Sequence, residues 1–128
     1  MLGDLAHPDR LFRPVGDGGR LDRRLLTPDV LETLESGAYT CVTWNAVPRD
    51  WEDPDGWVDR ALAQCAGQAE TLLVLHDLPT GAMDHLATFF DRADGARLTF
   101  RQDFPETCVL LRRGEVTGRL DGLVGEPA

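Results

Sequence analysis

Apolar residues recur at the spacing of amphipathic helices in three segments of this chain. The first is expected to begin after Thr27, an N-cap residue followed by Pro28 at the first helical position, and to end at Gly37. The other two are predicted over 57–67 and 83–93, and each ends at or shortly before a glycine. The pattern therefore predicts three helices separated by differently patterned segments.

Four short segments are rich in apolar, β-branched and aromatic residues and predict strands. They lie at 39–44, 71–75, 96–102 and 107–112. The segment 71–75 is continuously apolar after Thr71, which is typical of a strand covered on both faces in a parallel sheet. Strands that alternate with helices favour an α/β layer of mostly parallel strands, in which the loops after the strand ends carry the chemistry. The loops after Trp44 and from His76 occupy that position.

The ends of the chain differ from its middle in composition. Residues 1–20 are rich in Asp, Gly and Pro and predict an extended leader, and the glycines of 113–128 predict a frayed tail. The remaining 21–112 is the predicted α/β part of a single domain, since the whole chain has 128 residues. No apolar run approaches the roughly 20 residues of a membrane span, and the start lacks the apolar segment of a signal peptide. We therefore expect a cytoplasmic protein with no membrane partner.

Charge and cysteine spacing exclude several classes of protein. The net charge of −9 and the lack of a basic stripe argue against a nucleic-acid partner. Cys41, Cys65 and Cys108 are far apart and form no CxxC pair, which excludes a zinc ribbon or a thioredoxin-like motif on spacing. Reduced, buried thiols are expected instead.

Candidate chemistry concentrates in the two loops. His76 ends the segment 71–75, and an imidazole at a strand end can transfer a proton near neutral pH; the alternative is a structural histidine with a satisfied ring. The three tryptophans of the chain lie in or beside the other loop, at Trp44, Trp51 and Trp57. Indoles beside a carboxylate can stack on sugar rings, and they can equally cover an edge of the core. Arg13 either pairs with Asp50 through a bidentate contact or lies in solvent.

Three segments in order carry a family resemblance. The series FRPVG at 12–16, WNAVPRDW at 44–51 and LLVLHD at 72–77 resembles the later half of the polysaccharide deacetylases, the NodB-homology domain of carbohydrate esterase family 4. In that family the segments Arg-Pro-Pro-[Tyr/Phe]-Gly, Trp-x-x-Asp-x-x-Asp-Trp and Leu-x-His-Asp follow one another in this order. The resemblance covers roughly 11–101, most of the chain.

The resemblance implies a fold, an activity and a set of roles. The fold would be a partial barrel-like layer similar to the second half of a (β/α)7 barrel, and the activity would be hydrolysis of N-acetyl carbon–nitrogen bonds of amino sugars. His76 would be the general acid that protonates the leaving amine, and Arg13, held by Asp50, would orient an aspartate base. The residues implied to line the substrate pocket are Trp51, Trp44, Val74 and Leu75.

The chain also departs from the family pattern. The Thr-Phe-Asp-Asp-Gly segment, which supplies the base and a metal-binding aspartate, does not occur, and no two histidines are four residues apart. Val15 stands where the family has an aromatic residue, one proline is missing before it, and Val47 replaces the first aspartate of the tryptophan segment. No cofactor is therefore expected in this chain, whereas complete relatives hold a divalent metal, zinc.

Two interpretations follow from these matches and departures. The first is a deacetylase-like hydrolase acting on a carbohydrate substrate. The second is a catalytically inactive remnant, or a sugar-binding or partner-docking half that lacks the metal-binding residues. A half barrel would leave open sheet edges, so self-association or docking to a separate N-terminal half is expected.

Overall fold

The computed structural model describes residues 7–127, which fall into two compact units. We call 7–43 together with 106–127 the sheet unit, and 44–105 the helical unit. The first six residues of the predicted leader and the last residue of the predicted tail lie outside the described residues. No helix in the described part is long and apolar enough to cross a membrane.

The sheet unit is built on four strands in the order β1-β2-β3-β4. They are β1 Leu11–Phe12, β2 Thr40–Val42, β3 Val109–Arg112 and β4 Glu115–Val116. Strand β1 pairs with β2 in parallel, whereas β2–β3 and β3–β4 are antiparallel. The two central strands are apolar and almost completely buried, so they form the core of this unit. The predicted strands over 39–44 and 107–112 are thus confirmed in shortened form.

The first predicted helix is confirmed as α1, Pro28–Ser36, which also belongs to the sheet unit. The Thr27 side-chain oxygen accepts a hydrogen bond from the backbone N–H of Val30 at 3.2 Å, as expected of an N-cap. Gly37 follows the helix, and a Cβ there would lie 2.5 Å from the Tyr39 ring. The helix therefore ends where close packing requires glycine.

The helical unit contains α2, Trp57–Ala66, and α3, Leu86–Gly95, the latter preceded by a 3-10 turn over Ala82–His85. The bounds predicted for both helices from the sequence agree with these to within a few residues. Trp57 is completely buried between them: its indole N–H donates to the Ala82 carbonyl at 2.8 Å, and its ring lies 5.5 Å from that of Phe89. The core of this unit is therefore an aromatic pair between two amphipathic helices.

The mixed α/β class is confirmed, but the expectation of mostly parallel strands is wrong for the described residues. Only one of the three strand pairings is parallel, and the sheet is open, not a closed barrel. The predicted strand over 71–75 forms a single parallel bridge, Ala46↔Leu73, and the one over 96–102 forms none. The backbone N–H of Leu98 bonds back to Ala93 and Arg97 has a φ of 61°, so the start of this stretch belongs to the turn that ends α3, and 99–102 form no strand pairing.

The leader and the tail both contain backbone pairing. Strand β1 lies within the leader, and β4 lies in the segment for which fraying was predicted. Further along the tail, Val124 forms a parallel bridge with Leu26, and the Gly125 N–H donates to the Leu26 carbonyl at 2.9 Å. The partners of β1 and of Val124 are distant in sequence, so composition did not reveal them, whereas β4 forms a hairpin with the adjacent β3.

Candidate functional site

The loop that follows Trp44 is held against α2 by polar side chains of that helix. Gln64 Nε2 donates to the Val47 carbonyl at 3.0 Å, and Arg60 donates to the Pro48 carbonyl at 2.8 Å. The second guanidinium nitrogen of Arg60 contacts the Asp53 carboxylate at 3.1 Å. The loop therefore has a defined path although it contains no regular secondary structure.

Asn45 aligns the same loop with the segment 71–75. Its Oδ1 accepts the Leu72 N–H at 2.6 Å, and its Nδ2 donates to the Glu70 carbonyl at 3.0 Å. Next to it, the N–H of Val74 donates to the Ala46 carbonyl at 3.1 Å. These bonds set the register between the loop and the segment 71–75. As a result, Asp50 lies close to the end of that segment.

The carboxylate of Asp50 is engaged on both oxygens by His76. Asp50 is only 1% exposed. Its Oδ2 accepts the backbone N–H of His76 at 2.7 Å, and its Oδ1 lies 2.9 Å from His76 Nδ1. A carboxylate only accepts hydrogen bonds, so the Nδ1 of His76 carries the proton. The remaining nitrogen, Nε2, has no hydrogen-bond partner among the described residues and is the one available for proton transfer.

The imidazole is accessible and has an aromatic neighbour. The His76 side chain is 39% exposed, and its ring meets that of Trp51 in a T-shaped arrangement with centroids 5.1 Å apart. The guanidinium of Arg49 lies over the Trp51 ring, 5.0 Å from its centroid. Trp51 therefore forms a wall beside His76, with a cation against the indole.

The charge beside this wall is compensated locally. Arg49 forms an ion pair with Glu52, which raises the pKa of the guanidinium and lowers that of the Glu52 carboxyl. Both groups therefore stay ionised at neutral pH. The His76 imidazole therefore lies next to the Trp51 ring, and the Arg49–Glu52 ion pair adds no net charge there.

Three residues singled out in the sequence, His76, Asp50 and Trp51, come together in this way. Trp44 is only 5% exposed, so it does not offer a ring face for stacking on a sugar. Val74 is buried, and Leu75 packs against the core of the helical unit beside Trp57. The carbohydrate-stacking expectation is thus wrong for Trp44, because its indole is enclosed by protein.

Arg13 lies in the exposed loop after β1, in the sheet unit. The pairing of Arg13 with Asp50 that the resemblance implied stays a prediction. A role of Arg13 in orienting a catalytic base remains a prediction.

The described residues do not provide a metal site. No group of three or more His, Cys, Asp or Glu side chains converges anywhere in 7–127. A second histidine–aspartate pair lies on the surface, where His85 Nε2 is 3.0 Å from Asp55 Oδ1, and it too consists of only two such side chains. These residues therefore do not fit the zinc that the resemblance implies for complete relatives.

Sequence reasoning missed the residues that position the site, namely Asn45, Arg60 and Gln64. Asn45 is the only asparagine of the chain and directly follows a predicted strand, and this was a usable signal because asparagine side chains often replace backbone partners in loops. Arg60 and Gln64 carry no such signal, since polar residues on a helix usually face water.

Comparison with known proteins gave no match: neither a protein-family model, nor a curated protein, nor a solved structure is significantly similar to this chain.

Proposed function

We propose that this chain carries the proton-donating site of a deacetylase-type hydrolase that cleaves N-acetyl carbon–nitrogen bonds of amino sugars. The observation that carries the proposal is the double contact between the buried Asp50 carboxylate and His76. The order of the three segments that resemble the polysaccharide deacetylases supports the choice of substrate.

Hydrolysis of an amide needs a proton at the leaving nitrogen, because an amine departs poorly as an anion. Asp50 orients the His76 ring and fixes a proton on Nδ1. The imidazolium can then donate from Nε2 to the leaving amine and revert to a neutral imidazole that still binds Asp50. A side chain that is 39% exposed, next to Trp51, is accessible to a substrate in solution.

The proposal covers only part of a catalytic site. Deacetylases of the resembling family use a divalent metal, and the described residues lack a group that fits one. The proposed enzyme therefore needs its metal ligands and its base from outside the described residues.

The finer fold proposal, a partial (β/α)7 layer, rests on the same resemblance. The parallel bridge Ala46↔Leu73 supports it, since it joins two of the three matching segments in the expected direction. The mixed order of the four-stranded sheet gives it no support.

A second candidate is a sugar-binding or partner-docking half without catalysis, including one that pairs with itself or with a separate N-terminal chain. The lack of a convergent metal-binding group in 7–127 favours this candidate for the isolated chain. It predicts acetyl-dependent sugar binding without release of acetate.

NMR titration with N,N′-diacetylchitobiose tests the proposal, with the same disaccharide bearing free amines as the matched ligand. We expect the acetylated sugar to shift the Trp51 indole N–H and the His76 ring resonances, and the free-amine sugar to shift them far less. Equal shifts from both sugars, or none at these two residues, would overturn the proposal.

Acetate release, measured with zinc chloride present, separates the two candidates. Release that is lost in His76→Gln and retained in His85→Gln identifies the hydrolase. His85 is the suitable control because it is also 39% exposed and also pairs with an aspartate. Binding with no release by the wild-type chain identifies the non-catalytic candidate for the isolated chain, whose described residues lack a convergent metal-binding group.

A further inference from the structure

The helical unit contains a groove of about 870 Å³ beside the segment 71–75. Its lining comes from that segment, from 97–105, and from Leu86, Phe89 and Phe90 of α3. The groove contains neither Asp50 nor His76 among its lining residues, so it is distinct from the candidate site.

The backbone of 71–75 is paired on one side only. The N–H of Ala46 donates to the Leu72 carbonyl at 3.3 Å, and the N–H of Val74 donates to the Ala46 carbonyl at 3.1 Å. In an extended strand the N–H and C=O groups of alternate residues point to opposite sides. The backbone groups of Leu73 and Leu75 therefore point away from Ala46, and within 7–127 none of them has a hydrogen-bond partner.

Two exposed phenylalanines, Phe90 of α3 and Phe100, line the groove among the polar residues of 97–105. Phe90 and Phe100 are 46% and 58% exposed, and their rings pack edge to face with centroids 5.2 Å apart. The charged residues along the groove balance in sign: Glu70 and Asp103 against Arg97 and Arg101. An uncharged, apolar occupant suits this lining better than an ion.

We propose that this groove binds a single extended peptide segment of another protein as an added strand beside 71–75. A peptide backbone supplies donors and acceptors at the two-residue repeat that Leu73 and Leu75 leave unpaired, while alternate apolar side chains contact the phenylalanines. A strand has room in a groove of this volume, about five residues or 17 Å along the segment. A second folded copy of this chain does not suit the groove. Its own unpaired edge at 71–75 lies inside its own groove and cannot enter that of another copy.

Amide hydrogen exchange of the intact chain tests the proposal, because it reports on single backbone groups. Without peptide, the Val74 amide is expected to be protected and the Leu73 and Leu75 amides to exchange freely. A blocked heptapeptide of alternating threonine and valine, at millimolar concentration, is expected to slow exchange at Leu73 and Leu75 by about tenfold or more and to leave Val74 unchanged.

Two N-methylated versions of that peptide provide the matched control. Each carries methyl groups on alternate amides and so blocks one edge of the strand. One version is expected to bind as the parent peptide does and the other to lose binding. Equal binding of both versions, or no protection by the parent peptide, overturns the proposal. Protection that rises with protein concentration without peptide also overturns it, in favour of pairing between copies.

Side-chain variants provide a second measurement. Phe100→Ala is expected to weaken binding of the heptapeptide roughly tenfold, since it removes an exposed aromatic contact. Leu78→Ala is the control, because Leu78 is 44% exposed and does not line the groove. Unchanged binding in Phe100→Ala contradicts the proposed site. His76→Gln is expected to bind the peptide as the wild-type chain does, because His76 does not line the groove. The peptide test therefore holds even if the proposed deacetylase function is wrong.

Discussion

The sheet unit and the helical unit hold their chains in place by different means. In the sheet unit, backbone ladders join strands far apart in sequence, as between β2 and β3. In the helical unit the loop after Trp44 has one backbone bridge, at Ala46, and the rest of its path depends on side chains that bond to backbone groups, chiefly those of Arg60 and Gln64. A ladder tolerates the loss of one bond, whereas a loop held by a few side chains does not. Four predictions test this difference.

The largest effect is expected in the core of the helical unit. Trp57→Ala removes a fully buried indole and its hydrogen bond to Ala82, and should lower the free energy of unfolding by about 3–5 kcal/mol. Trp51→Ala is the control, because this indole is only partly buried, and should cost about 1 kcal/mol or less. Urea denaturation measures both. Similar losses in the two variants would contradict the assignment of one tryptophan to the core and the other to the site.

Removal of the Asp50 carboxylate comes next. Asp50→Ala leaves the half-buried N–H of His76 without its partner and should destabilise the protein by about 1–2 kcal/mol. Asp50→Asn keeps the size and can keep one bond, so a smaller loss is expected. Its amide can donate to Nδ1, which moves the proton of the neutral ring to Nε2. Nitrogen chemical shifts of the imidazole report this change of tautomer, and an unchanged tautomer would argue against control by Asp50.

Asn45→Ala compares the two means of support directly. It frees the Leu72 N–H and the Glu70 carbonyl, and should cost about 1–2 kcal/mol and disturb the resonances of His76. The matched change in the sheet unit is Thr117→Val, which removes a side-chain bond to Val109 but leaves the backbone bond of Thr117 to Leu110. That variant should cost less than about 1 kcal/mol. A larger loss in Thr117→Val would reverse the comparison.

The smallest effect at neutral pH concerns Cys41 in β2. Burial raises the pKa of its thiol from 9.0 to about 11. Because the folded state holds this proton more tightly than the unfolded state, its contribution to stability is complete below pH 9 and is lost as pH rises through 11. The basic residues are all arginine and the chain has one tyrosine, so few other groups titrate in this range. Stability measured against pH should fall less steeply in Cys41→Ala.

Thiol labelling gives a companion measurement at neutral pH. A maleimide should modify the partly exposed Cys65 of the helical unit well before the buried Cys41. Mass spectrometry of the peptides after short labelling shows the order. Equal labelling of both would mean that β2 opens as readily as the end of α2.

Local signals were sufficient for the helices and for part of the site. Thr27, Pro28 and Gly37 marked the bounds of α1 because capping depends on neighbouring residues. His76 was found because it ends an apolar segment, and Trp51 because the three tryptophans lie in or beside one loop. Strand pairing was harder: the segments 71–75 and 96–102 have the composition of strands, but the first forms a single bridge and the second forms none, its start being part of the turn after α3. Strand formation depends on a partner, which composition does not contain.

The sequence by itself determined the three helices, the mixed α/β class and the set of residues from which the site is made. These depend on spacing and capping, which act over a few residues. Only the tertiary structure decided that Asp50 binds His76, that Trp44 and Trp57 are buried while Trp51 stands beside the imidazole, and that the edge at Leu73 and Leu75 faces a groove. These are contacts across tens of residues, and their geometry depends on how the loop after Trp44 is held against α2.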